Sequence, residues 1–172
     1  MRNDPDTPSP DASPPAMDGG AVRRALDAYA HELGFAAFGV SSIELPEDEA
    51  HLEDWLANGL HGEMHYMAAH GRKRSRPELL RPGTLRVVSV RMDYWPADAR
   101  DAQSVLDAPA QAYVSRYALG RDYHKVLRGG LRALGERLQA LCGGSEPRVF
   151  VDSAPVLEKA LARNAGLGWI GK

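Results

Sequence analysis

Apolar residues recur at helical spacing from Ala21 onward. Val22, Leu26, Tyr29, Ala30 and Leu33 share one face, and Gly34 follows as a C-cap. FAAFGVSS (35–42) reads as a short buried strand. Pro46 opens a second helix carrying Leu52, Trp55 and Leu56, stopped at Asn58-Gly59, and GEMHYMAAH (62–70) adds a short helical piece. LRVVSVRMDY (85–94), rich in valine and flanked by turn residues, is the clearest strand. Residues 96–112 are polar and alanine-rich with weak pattern. The longest helix runs from about Asp122 to Leu141, with Val126, Leu127, Leu131, Leu134, Leu138 and Leu141 on one face, and Gly143-Gly144 end it. RVFVD (148–152) is a third strand, and SAPVLEKALARNAG (153–166) a final helix closed by Gly166. Helices alternating with short strands predict a single layered α/β domain over residues 21–172. Residues 1–20 hold five of the twelve prolines and almost nothing to bury, which predicts a disordered tail.

Composition changes this picture little. The 172 residues are 44% hydrophobic and 26% charged, with a formal net charge of −2. That balance gives no overall attraction to nucleic acid or membrane. No apolar run approaches the roughly 20 residues that span a bilayer, and no apolar leader opens the chain. A cytoplasmic location and a monomer are expected. The single cysteine, Cys142, excludes a disulfide framework and any cysteine-ligated cluster built from this chain alone. Charge is nonetheless uneven. Six acids and no base lie between Glu44 and Asp54, whereas Arg72, Lys73, Arg74, Arg76, Arg81, Arg86 and Arg91 face only Glu78 between His70 and Arg91.

Several motifs invite chemistry. GLGWIGK (166–172) fits both G-x-G-x-x-G and the front of G-x-x-x-x-G-K. Both patterns need a strand before the loop and a helix after it, so that a helix N-terminus meets the phosphate. Here the glycines follow a helix, whose C-terminal end repels anions. A tight turn bringing backbone close to a neighbour is the better reading. In HGEMH (61–65) the two histidines stand one helical turn apart, but a zincin needs glutamate directly after the first, and no third ligand is apparent. An exposed polar turn accounts for it. Asp152 ends a strand, where ligands gather in α/β folds, and also precedes a helix, where Asp is a good N-cap. The residues alone leave both roles open. RKRSRP (72–77) could grip a phosphate or be a solvated basic loop. YALGRDYHK (117–125) gathers Tyr117, Tyr123 and His124 at a helix start, as a core rim or a ligand wall.

Taken in order, GLHGEMHYMAAHGRKRSRPELLRPG, YALGRDYHKVL and VDSAPVLEKALARNAGLGWIGK resemble the N-terminal domain of the epoxyqueuosine reductase family, over roughly residues 21–172. The resemblance implies an oxidoreductase of tRNA modification that reduces epoxyqueuosine to queuosine, using cobalamin and [4Fe-4S] clusters and an external electron donor. It implies a cobalamin-binding α/β domain here, with a ferredoxin-like domain and a helical repeat beyond it. It makes Asp152, in the motif VD-x-x-P-x-L-E, the proton donor, and Arg74 a cobalamin contact. Asp152, Tyr123 and His124 would border the cofactor as well. Where the family commonly has arginine after the motif's glutamate this chain has Lys159, which keeps the charge but not the planar fork. The chain stops inside GWIGK, where the family continues toward its cluster cysteines, so a fragment of a longer enzyme is expected. An inactive binding module, or a related corrinoid-dependent reductase with another substrate, is the alternative.

Overall fold

The computed structural model describes residues 18–171. The expected disordered tail falls mostly outside them. Its last residues do not: α1 (Gly19–Glu32) takes in Gly19 and Gly20, because the Asp18 carbonyl already accepts the Ala21 and Val22 N–H groups at 2.8 and 3.0 Å. β1 (Ala37–Ser41), α2 (Pro46–Ala57) and β2 (Val87–Arg91) follow close to their expected places. A short helix, α3 (Ala102–Leu106), forms in the stretch of weak pattern, where the Asp101 side chain caps it by accepting the Ser104 N–H at 2.8 Å. α4 (Tyr123–Cys142) is the long helix, and α5 (Glu158–Asn164) the last. Short 3₁₀ turns occupy His65–Met67, just before the basic region, and Gly71–Arg74 and Pro77–Leu79 within it.

Two expectations need correction. Residues 148–152 join no ladder, so the third strand does not form. The last helix begins at Glu158, leaving 153–157 outside it, with bends over 152–156. Asp152 therefore stands six residues ahead of α5 and does not cap it; Leu157 holds that position.

β1 and β2 pair antiparallel, with Phe38 opposite Val90, Gly39 opposite Ser89 and Ser41 opposite Val87. The two-residue period of a strand sorts these side chains by face. Phe38, Val88 and Val90 pack toward α1 and α4, around a buried centre of Leu26, Ala30, Phe35 and Leu134. The opposite face carries Gly39, Ser41 and Ser89, small enough for α5 to lie directly on the sheet. Leu161, 1% exposed, is the centre of that second cluster, with Leu45 and Ala160. The approach is so close that a Cβ at Gly39 would stand 2.4 Å from the Ala165 carbonyl oxygen.

Electrostatics ties the remaining pieces down. The first turn of α2 is acidic, as a helix N-terminus favours. Asp48 receives both Nη1 and Nη2 of Arg163 in α5, at 3.1 and 2.8 Å. Glu49 receives Nε and Nη2 of Arg76 at 2.9 and 2.7 Å, and the Ser75 hydroxyl at 2.5 Å. Arg72 donates to Glu53 at 2.8 Å. The acidic and basic runs of the sequence thus neutralise each other inside the molecule. RKRSRP spends much of its charge on α2.

Two outcomes follow. Gly39→Ala forces α5 off the sheet and should cost about 1–3 kcal/mol of unfolding free energy, as overpacking does; denaturant melts at neutral pH check this, and an unchanged midpoint would contradict the packing. Hydrogen bonds from Arg76 and Ser75 hold the Glu49 carboxyl down at about 2. Its stabilisation is then complete above the ordinary carboxylate range and is lost as pH falls from about 4.5 toward about 2. Glu49→Gln should flatten the stability curve across that window, read by urea melts at stepped pH.

Candidate functional site

The site forms where the turn before α5 meets the start of α4. Asp152 is, among the described residues, the only non-glycine with positive φ, at 61°. The Ser153 N–H reaches back to the Val151 carbonyl at 2.6 Å, closing a three-residue turn around it. Such a γ-turn with positive φ is strained, and Asp and Asn tolerate it better than most residues. Strain of this kind persists only where neighbours over-determine it. Here Glu158 does so, its Oε1 accepting the Asp152 backbone N–H at 3.1 Å. Desolvation, and then the Asp152 charge beyond the N–H bond that opposes it, raise the Glu158 carboxyl above its ordinary value.

The turn presents the Asp152 carboxylate to α4. Tyr123 donates its hydroxyl to Asp152 Oδ2 at 2.5 Å, and His124 Nε2 stands 3.8 Å from the same oxygen. The Tyr123 phenol is pushed up to about 12, first by that hydrogen bond, then by desolvation and the Asp152 charge. Asp122 fixes the imidazole. Its Oδ1 accepts the His124 backbone N–H at 3.0 Å as the α4 N-cap and lies 3.0 Å from His124 Nδ1. Both contacts hold the Asp122 carboxyl below its usual range. With Nδ1 engaged, Nε2 is the ring atom turned to Asp152. The rings of Tyr123 and His124 stack at 4.0 Å, and Tyr117 meets Tyr123 edge-on at 6.1 Å. Tyr117 is exposed, as is the Asp152 side chain, at 64%. The result is an open aromatic wall beside a carboxylate with two protonatable partners.

Three of the four residues named from the sequence, Asp152, Tyr123 and His124, come together. Arg74 does not join them by contact. Its guanidinium is buried and donates from Nε to the Met67 carbonyl at 3.0 Å and from Nη2 to the Tyr66 carbonyl at 2.7 Å. Its own carbonyl accepts the Leu157 N–H at 2.9 Å, so it braces the turn that carries Asp152 toward α5. Lys159 lies in α5 beside Glu158. Sequence reasoning missed Glu158 and Asp122 as site residues. The signal for Glu158 was the family-like motif itself, in which the glutamate follows the aspartate by six residues.

Two other motifs resolve more plainly. In GLGWIGK the Gly166 and Leu167 N–H groups return to the Arg163 and Ala162 carbonyls, so the first glycines end α5. His61 and His65 meet edge-on at 6.3 Å beside Trp55.

Fold and site together define an α/β domain that offers a strained, hydrogen-bonded carboxylate on an aromatic surface. The same fold occurs in a crystal structure of selenomethionine-labelled epoxyqueuosine reductase, at a TM-score of 0.72 and 24% identity, over 87% of this chain and 40% of that one. Residues 74–153 match the family described as epoxyqueuosine reductase QueG, DUF1730. The epoxyqueuosine reductase of Pseudomonas aeruginosa is 60% identical over 169 residues, 96% of this chain and 46% of the relative. That of Escherichia coli is 52% identical over 156 residues, 91% of this chain and 41% of the relative. The match to the epoxyqueuosine reductase family model thus takes in the start of α4 and Asp152, and the likeness to the two reductases extends over most of this chain. The chain spans under half the length of these curated relatives.

The Tyr123–Asp152 bond is directly measurable. Asp152→Asn removes the charge that holds the proton on the phenol, so Tyr123 should ionise at lower pH, moving from about 12 toward the ordinary tyrosine value. Ultraviolet titration of tyrosinate absorbance reads this. An unmoved high-pH phenol would mean that another group holds it.

Proposed function

We propose that this domain is the proton-delivering, cobalamin-binding part of an epoxyqueuosine reductase acting on tRNA. The observation that supports it best is the Asp152 carboxylate, held in a strained turn and hydrogen-bonded by Tyr123 on an exposed aromatic wall. A large flat macrocycle suits such a wall better than a small hydrated ion does. Tyr117, Tyr123, His124 and Asp152 would border it, and Arg74 would act by bracing the turn that carries Asp152. When bound, cobalamin supplies electrons to the reaction. [4Fe-4S] clusters, implied by the family resemblance, belong to the part of the protein outside this chain, whose one cysteine is Cys142.

Turning an epoxide into an alkene takes two electrons and two protons and releases water. The chain's own residues serve the proton side. Once it has taken up a proton, the Asp152 carboxylate passes it to the oxygen as the carbon–oxygen bond breaks and is left as the carboxylate again. The Tyr123 hydroxyl already donates to that carboxylate, and protonated His124, aligned by Asp122, stands ready to restore the proton. Positioning of this kind is what general acid catalysis requires. Lys125, Arg128 and Arg132 line a hollow of about 360 Å³ together with Asp122 and His124. These bases suit the phosphate backbone of an RNA brought to the same site. No helix among the described residues is long and apolar enough to cross a membrane.

The test joins this chain to the remaining part of the Pseudomonas aeruginosa relative and compares variants at equal cobalamin loading. Asn accepts the positive φ of the turn, so Asp152→Asn should bind cobalamin normally. It lacks a carboxylic proton, and turnover of epoxyqueuosine in tRNA should fall about 10²–10⁴-fold. Near-normal turnover would move the acid to Tyr123 or His124.

A further inference from the structure

Among the described residues β2 has one partner. It pairs with β1 and leaves its other edge, with alternate N–H and C=O groups, unmatched. Against that edge opens a cavity of about 860 Å³. Its floor is the apolar face of α4, at Leu131, Leu134 and Leu138, and α5 contributes Leu161 and Ala162. The segment Pro147–Phe150 borders it too. That segment is the one whose sequence reads as a strand and which joins no ladder. It is anchored in place, because Arg148 donates to the Leu80 carbonyl at 3.2 Å and Arg81 pairs with Glu146.

We propose that this slot seats one further β-strand, apolar and about five residues long, supplied by the remainder of the protein beyond this chain. Four features carry it. The slot has helices on both sides, as a buried strand requires. The outer edge of β2 and residues 147–150 border it without ladder partners on that side, and a strand laid between them would give partners to N–H and C=O groups that its own packing would bury. A strand residue rises about 3.3 Å, lies about 4.8 Å from its neighbours and spans about 10 Å between packed layers, so it fills on the order of 160 Å³. The cavity then takes about five residues, the length of β2. The supply is at hand, since this chain covers only 46% of the Pseudomonas aeruginosa relative. An exposed apolar edge is otherwise a template for aggregation. With the strand in place the sheet runs on from β2 toward residues 147–150. The inference concerns assembly and does not rest on the reductase reading; its test uses no turnover.

The experiment again joins the chain to the remaining part of the Pseudomonas aeruginosa relative. Hydrogen exchange should show every amide from Val87 to Arg91 protected at least 100-fold over a free peptide, including those turned away from β1. In the same joined protein, the thiol introduced by Ala162→Cys should resist a water-soluble maleimide, with modified peptides identified by mass. Fast exchange at alternate β2 amides, or rapid labelling at position 162, would mean an open slot and overturn the proposal. The chain by itself is examined by light scattering and exchange. A dimer already protecting the β2 edge would make a second copy the occupant, and so would also overturn it. A blocked thiol with unprotected amides would mean a ligand without strand hydrogen bonds, again against the proposal.

Discussion

Everything around the site depends on how closely α5 can approach the sheet. The face beneath that helix carries Gly39, Ser41 and Ser89, and the Gly39 backbone meets the Ala165 carbonyl where no Cβ could fit. A side chain at Gly39 would lift α5 and everything that leads into it. With the helix seated, Leu161 is sealed beneath it and Arg163 reaches Asp48 in α2. The same seating aims Glu158 at the Asp152 N–H, and Arg74 holds the Leu157 N–H on the other side of the turn. A packing constraint on one face of the sheet thereby fixes the conformation of a single aspartate.

The charges are arranged to the same end. A chain of small net charge with strongly segregated acids and bases folds so that the two runs meet, the acidic α2 against the basic loop that follows it. Arg72 and Arg76 are consumed in this docking, and Arg74 is consumed by carbonyls. The bases lining the hollow beside His124 lie instead on the exposed side of α4. Position in the fold therefore separates structural arginines from those available to a polyanion, which their order along the chain does not.

Strain and incompleteness occur together here. Asp152 sits in a conformation that costs free energy, on an open wall, while the neighbouring sheet ends at an unpaired edge over a large cavity. Natural folds violate local rules mainly where function or assembly requires it. The turn at Asp152 has its compensation within the chain, through Glu158 and Tyr123. The edge of β2 has none within the described residues.

Amphipathic periodicity determined α1, α2, β1, β2 and α4 within a few residues, because each buries a face whose period is local to the chain. The three separated motifs likewise pointed to the family, and to Asp152, Tyr123 and His124. Residues 148–152 show what periodicity could not decide. A strand exists only through a partner about 4.8 Å away, and Arg148, Val149 and Phe150 border a cavity instead of a neighbouring strand. Proline and serine before α5 looked like a helix start, yet the helix waits until Glu158, because the preceding residues are taken up by the turn and by the Arg74 carbonyl. Glu158 as the holder of Asp152, Asp122 as the guide of His124, and Arg74 as a buried brace were decided by tertiary structure alone. Each depends on a hydrogen bond whose direction is set only after α4, α5 and the basic loop have packed.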